Sequence, residues 1–206
     1  MTLGDLALVG SGEYTRSMLD IERDLLDAGV ARGKKNIFVQ IATAAGLEDD
    51  SSHNYWKNLG ANQAKSLGVE VKFLPLYNRS DVENFSTFEL VEEAALIYFS
   101  GGNPIHLANS FYGTDLLNSI KGAWKSGTSL AGCSAGAMAM SDQVSVFWRK
   151  NSDTARGFGI MPGFSILPHF DRYFSPMHLP IYKMLPKTSE FQIGIDENTA
   201  LIFSSN

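Results

Sequence analysis

Gly132-Cys133-Ser134-Ala135-Gly136 is the stretch of this 206-residue chain whose residue types and spacing best suit chemistry. It is a G-x-S-x-G pattern that follows an apolar run, Ser129–Cys133, and opens a segment of helical character. In that context the flanking glycines permit a turn tight enough to lift the central side chain above a sheet edge. A helix N-terminus directly behind it points N–H groups at developing negative charge. The chemistry is nucleophilic attack by a hydroxyl, with Ser134 as the nucleophile. Cys133 is the rival. A cysteine-centred register would put Ala131 and Ala135 where a strained turn wants glycine, so Cys133 is assigned to packing.

A serine nucleophile needs a base, and the chain has four histidines. His53 lies at a polar helix start and reads as solvated. His106 follows the Gly101-Gly102 turn and is a second choice. His178 sits near a helix start beside Pro180. His169 follows the strand-like Phe164–Leu167, and ligands of open α/β sheets gather beyond the carboxyl ends of strands. His169 is therefore the expected base. The acid that would orient it is sought among Asp196, Glu197, Asp142 and Asp171, and spacing does not choose between the adjacent Asp196 and Glu197. No histidine pair has metal-ligand spacing, so no metal is expected, and attack by a serine hydroxyl with a histidine base needs no other cofactor. The glycines of Gly101-Gly102-Asn103 let backbone N–H groups approach a substrate. One of them, with the N–H of Ala135, would form an oxyanion hole. Gly10-Ser11-Gly12 lacks the third glycine of a dinucleotide fingerprint, because Thr15 stands there. Gly12-Glu13 is expected to line the cleft or close a turn.

The elements that must position these residues alternate. Strands are expected at Leu6–Val9, Ile37–Ala42, Val69–Leu74, Ala94–Phe99 and Ser129–Cys133. Helices are expected over Arg16–Gly33, from the Glu48–Ser52 loop to Ser66, over Ser80–Glu93 with Ser80 as N-cap, over Pro104–Tyr112 and over Thr114–Ser126. Short apolar strands between amphipathic helices imply a parallel sheet covered on both faces. After Ser141 the pattern changes. Val144–Trp148 reads as an added strand, Gly157, Gly159 and Gly163 as loop, and residues 176–185 as a helix. Phe191–Ile195 and Thr199–Phe203 read as a hairpin around the acidic turn Asp196-Glu197-Asn198.

Composition closes off other classes. Hydrophobic residues at 44% and charged residues at 19% exclude a disordered chain. One cysteine excludes an intramolecular disulfide framework. Seventeen basic against 22 acidic residues give a net charge of −5, a poor match to nucleic acid. No apolar run is long enough to span a bilayer, and the N-terminus lacks a basic leader region. The expectation is one cytoplasmic domain over residues 1–206, with no nucleic-acid or membrane partner and with a homo-oligomer left open.

The landmarks also stand in a familiar order: Gly10-Ser11-Gly12-Glu13, Gly101-Gly102-Asn103, Gly132–Ala137 (GCSAGA), His169-Phe170 and Gly194–Leu201 (GIDENTAL). This order resembles the aspartyl dipeptidase (peptidase E) and cyanophycinase family of serine peptidases across nearly the whole chain. The resemblance implies a class I glutamine amidotransferase-like, flavodoxin-like three-layer α/β fold with a mostly parallel sheet. It implies a Ser-His-Glu triad of Ser134, His169 and Glu197, with the oxyanion hole at Gly101, Gly102 and Ala135. The specificity elements differ. Cyanophycinases carry several arginines after the His-Phe pair, where this chain has Arg172 alone. They carry a polar side chain where this chain has Pro104. Asn103 and Arg172 are the expected substrate contacts, with Arg149, Arg156 and Lys183 as other cations able to meet a carboxylate. The implied activity is hydrolysis of small peptides, as a dipeptidase or other exopeptidase. The alternatives are a cyanophycinase-like or other amide or ester hydrolase on the same elbow, and a catalytically silent binding protein.

Overall fold

A computed structural model describes residues 2–146, 154–173 and 190–204. Five parallel strands form the frame: β1 (Leu6–Val9), β2 (Lys35–Ile41), β3 (Glu70–Leu74), β4 (Ala94–Phe99) and β5 (Ser129–Cys133). A final strand, β10 (Ala200–Phe203), pairs antiparallel with β1, and the sheet order is β10-β1-β5-β4-β2-β3. The strands are apolar on both sides because both sides are covered. On β1, Leu6 and Leu8 join one core cluster while Ala7 and Val9 join another. On β4, Ile97 and Phe99 divide from Leu96 and Tyr98 in the same way. Helices α1 (Leu19–Ala31) and α2 (Asp50–Leu67) cover one face through Leu25, Leu26, Ala64 and Leu67. Helices α5 (Pro104–Phe111), α6 (Asp115–Lys125) and α7 (Ala135–Ala139) cover the other through Leu107, Phe111, Leu117, Ile120 and Ala137. The result is the expected three-layer α/β arrangement. Among the described residues no helix is long and apolar enough to cross a membrane.

Two expectations are corrected. The helix over 80–93 is two short ones, α3 (Arg79–Glu83) and α4 (Glu89–Glu92). The N-cap is Asn78, not Ser80. Its side chain accepts the Asp81 N–H while the Asp81 carboxylate accepts the Asn78 N–H, a reciprocal capping box. The break falls at Asn84, Phe85, Ser86 and Thr87, which are weak helix formers, and Phe85 turns to pack edge-on against Phe88.

The second correction concerns the C-terminal hairpin. β9 (Phe191–Gly194) and β10 do not pair. β9 runs parallel to β8 (Phe164–Leu167), with Leu167 opposite Gly194, whereas β10 joins β1. The Ile195 N–H donates to Leu167 O and the Phe170 N–H donates to Ile195 O, which extends the β8–β9 pairing past the strand ends. The acidic turn therefore spans from the end of β8 to the end of β1. β6 (Gln143–Ser145) pairs with β7 (Thr154–Arg156). Phe147 and Trp148 of the added strand, and the helix expected over 176–185, lie outside the described residues.

Candidate active site

β5 delivers Ser134 and α7 begins at the next residue. Its N–H donates to Val9 O at 2.9 Å, and its backbone takes φ 50°, ψ −107°. The glycines around it are required by close approach. A Cβ on Gly132 would lie 2.5 Å from the Gly136 carbonyl, and one on Gly136 would lie 2.2 Å from Phe99 O. The turn can thus be this tight only with hydrogen at both positions.

Pro168 and His169 follow β8, and His169 also sits at positive φ, 52°. Its Nε2 lies 3.0 Å from Ser134 Oγ, and its Nδ1 lies 2.8 Å from Glu197 Oε1. A carboxylate can only accept, so the Nδ1 side carries the proton and Nε2 is left to accept from the serine hydroxyl. Asp171, two residues on in α8 (Phe170–Tyr173), accepts the Glu197 N–H at 2.9 Å. Arg172 places Nη1 3.5 Å from Glu197 Oε1. Four non-glycine residues among those described have positive φ: Tyr14, Ser134, His169 and Asn198. Ser134 and His169 belong to this array, Asn198 directly follows Glu197, and Tyr14 follows Glu13 in the loop after β1. Strain of this kind, roughly 1–3 kcal/mol per residue, concentrates where geometry is over-determined.

The other expected residues fall into place around it. Asp196 is exposed. Asp142 accepts the Gly163 N–H at 2.7 Å, serving a different loop. His106 is held by Tyr77 O at 2.7 Å. His53 is not solvated as expected. It stacks on Tyr77 at 4.0 Å, with Nε2 3.2 Å from Ala45 O, because its helix start is folded against the loop after β2. His178, Arg149 and Lys183 lie outside the described residues. Arg156 bonds the Tyr112 hydroxyl at 2.7 Å. Ser11 accepts the Asn198 N–H at 3.4 Å, so the loop after β1 braces the acidic turn.

Cys133 is fully buried. Burial, reinforced by the Glu13 carboxylate, pushes its thiol well above the usual range, and it donates to Glu13 Oε2 at 2.9 Å. A thiol held protonated in this way is a poor nucleophile. Glu13 Oε1 accepts the Gly101 N–H at 2.9 Å. This modifies the expected oxyanion hole: the Gly101 N–H is taken, while the N–H groups of Gly102 and Ala135 have no acceptor among the described residues. A cleft of about 180 Å³ lies over the serine, bounded by Gly102, Pro104, Ala135, Met138, Pro168 and Tyr173. Neither expected substrate contact lines it. The Asn103 side chain is used to cap α5, accepting from the N–H groups of Ile105 and His106 at 3.1 and 3.0 Å. Arg172 points to Glu197. Glu13 was expected to line the cleft or close a turn; its bonds to the Gly101 N–H and the Cys133 thiol left no signal in the sequence.

Fold and site together define a class of α/β proteins in which a serine on a strand–turn–helix elbow lies in hydrogen-bonded series with a histidine and a glutamate. Within that class, the model of peptidase family S51 matches residues 6–206, and the chain belongs to this family. The crystal structure of a peptidase from an acI-B1 Actinobacterium superposes with a TM-score of 0.89. It is 46% identical, over 100% of this chain and 85% of that one. A Listeria monocytogenes EGD-e protein assigned as a peptidase E shares the fold, with a TM-score of 0.69 at 20% identity over 99% of this chain and 96% of that one. Cyanophycinases from Synechococcus elongatus and Thermosynechococcus vestitus are each 24% identical over 186 residues, 84% of this chain and 55% of theirs. The chain thus spans about half the length of these curated relatives.

Proposed function

We propose that this protein is a serine peptidase that hydrolyses small peptides, as a dipeptidase or other exopeptidase. The observation that carries the reading is the hydrogen-bonded series Ser134 Oγ, His169 Nε2, His169 Nδ1 and Glu197 Oε1, at 3.0 and 2.8 Å. Ser134 Oγ attacks the scissile carbonyl and its proton passes to His169 Nε2. Glu197 keeps the other imidazole proton on Nδ1 and stabilises the imidazolium. The tetrahedral oxyanion faces the N–H groups of Gly102 and Ala135. His169 then protonates the leaving amine, and water attacks the acyl-enzyme with His169 again as base. Every proton transfer is carried by these side chains, and the sequence of steps draws on no cofactor. A cytoplasmic location belongs to the same proposal and rests on composition, above all the single cysteine.

Hydrolysis of a dipeptide library by wild type and by Ser134→Ala tests the reading. The expected result is turnover of a subset of dipeptides that falls by up to about 10⁶-fold in Ser134→Ala. Undiminished turnover in Ser134→Ala would refute the nucleophile. Turnover of esters with none of peptides would refute the peptidase assignment.

A further inference from the structure

Glu13 takes no part in the steps above, yet it grips both elements that frame the oxyanion hole. One carboxylate oxygen holds the Gly101 N–H after β4, and the other holds the Cys133 thiol at the end of β5, each at 2.9 Å. The residues that follow those contacts, Gly102 and Ser134, line the cleft. Tyr14 reinforces the grip one residue on, with its hydroxyl 2.8 Å from Ser100 Oγ. Two consecutive residues of the first loop thus clasp two consecutive residues of the β4 loop. Tyr14 is at φ 60° and is held there by burial, by packing against Tyr98 at 5.0 Å and by Glu22, which accepts its N–H at 3.4 Å.

We propose that Glu13 is a positioning residue that sets which backbone donor faces the acyl oxygen. Two successive glycines have the widest conformational range a chain can have, so the Gly101-Gly102 peptides need an external partner to hold one orientation. A charge-assisted bond to Glu13 draws the Gly101 N–H away from the cleft and leaves the Gly102 N–H to pair with that of Ala135. The space admits nothing else. A Cβ on Gly101 would stand 2.7 Å from Glu13 Oε1 and 3.4 Å from Ser134 Cβ. With each oxygen engaged by a donor, the carboxylate does not compete for the hole's own N–H groups.

The proposal rests on the serine-hydrolase reading, and its test needs no knowledge of the substrate. The measured quantity is the rate constant for labelling by a fluorophosphonate probe. Ser134 Oγ forms the P–O bond, fluoride leaves phosphorus, and the hydroxyl proton goes to His169. The phosphoryl oxygen occupies the same hole as an acyl oxygen. Glu13→Ala is expected to be labelled about 10²-fold more slowly, the cost of a lost oxyanion donor. Glu13→Gln keeps an acceptor oxygen for Gly101 and is expected within about fivefold of wild type. The pH profiles of labelling in Glu13→Ala and Glu13→Gln are expected to match each other, because both remove the same charge and leave the His169–Glu197 pair in place. If Glu13→Ala does not fold, Glu13→Asp, one methylene short, is expected to be about tenfold or more slower than Glu13→Gln. Labelling at the wild-type rate in the alanine or aspartate variant overturns the proposal. So does a glutamine variant as slow as alanine, or pH profiles that differ between the alanine and glutamine variants. Wild type that labels no faster than Ser134→Ala overturns the hydrolase reading itself, and the positioning role with it.

Discussion

Glu197 reaches His169 while Asp196, one residue earlier, faces solvent. The chain leaves β9 at Gly194 and turns at Glu197-Asn198, and the turn aims one of the two adjacent carboxylates at His169 while the other stays exposed. Glu197→Gln keeps the shape and removes the charge behind the imidazolium. Its kcat is expected to fall by up to about 10⁴-fold with an unchanged circular dichroism spectrum. Asp196→Asn is expected to stay within a few-fold of wild type in the same assay, and equal losses in the two variants would contradict the assignment. Cys133 makes the contrasting case. Its thiol is buried and bonded to Glu13, so a thiol-alkylating reagent is expected to leave the rate of fluorophosphonate labelling at Ser134 unchanged. At this scale the residue types were legible in the sequence. The glycine register alone separated Ser134 from Cys133. The choice of Glu197 over Asp196 was not legible from spacing, because it depends on which side of the turn faces His169.

The elements explain why the elbow tolerates no crowding. Gly136→Ala would drive a methyl group into Phe99 O, 2.2 Å from the added carbon, and force α7 off β4. Overpacking costs about 1–3 kcal/mol or more. Chemical denaturation is expected to show that loss, together with failure of Ser134 to label. Asn103 is a different test. If its side chain serves α5 alone, Asn103→Ala costs about 1 kcal/mol, or roughly 2–4 °C in Tm for a chain of this size, with KM unchanged. A raised KM at unchanged Tm would restore Asn103 to the substrate. Strands and helices of the parallel core were readable from periodicity. The break in the 80–93 helix was less so, since apolar residues at helical spacing continue through it and only Asn84, Ser86 and Thr87 signal a stop. The hairpin was misread for a physical reason: two strands joined by a tight turn look alike whether they bond to each other or each bonds a different neighbour.

At the scale of the whole molecule, the layer of α1 and α2 buries a carboxyl group. Glu22 is 1% exposed, accepts from Gln63 Nε2 at 2.6 Å, and burial raises its pKa to about 7. A carboxyl raised from 4.5 in this way favours the folded state fully below pH 4.5, and that contribution is lost as pH rises to about 7. The loss is on the order of 3 kcal/mol. Glu22→Gln removes it, so the fall in Tm between pH 5 and pH 8 is expected to shrink by roughly 6 °C or more relative to wild type. An identical fall in both proteins would show that Glu22 does not titrate in that range. The sequence by itself determined the alternation of strands and helices, the apolar strands buried on both faces, and the elbow serine, because these depend on local periodicity and on where glycine must stand. Only the tertiary structure decided that β9 and β10 part company, that the acidic turn is carried across to His169, and that Glu13 takes the Gly101 N–H. Those contacts join residues 27 to 197 positions apart, and a contact at that separation leaves no period or spacing in the chain to be read.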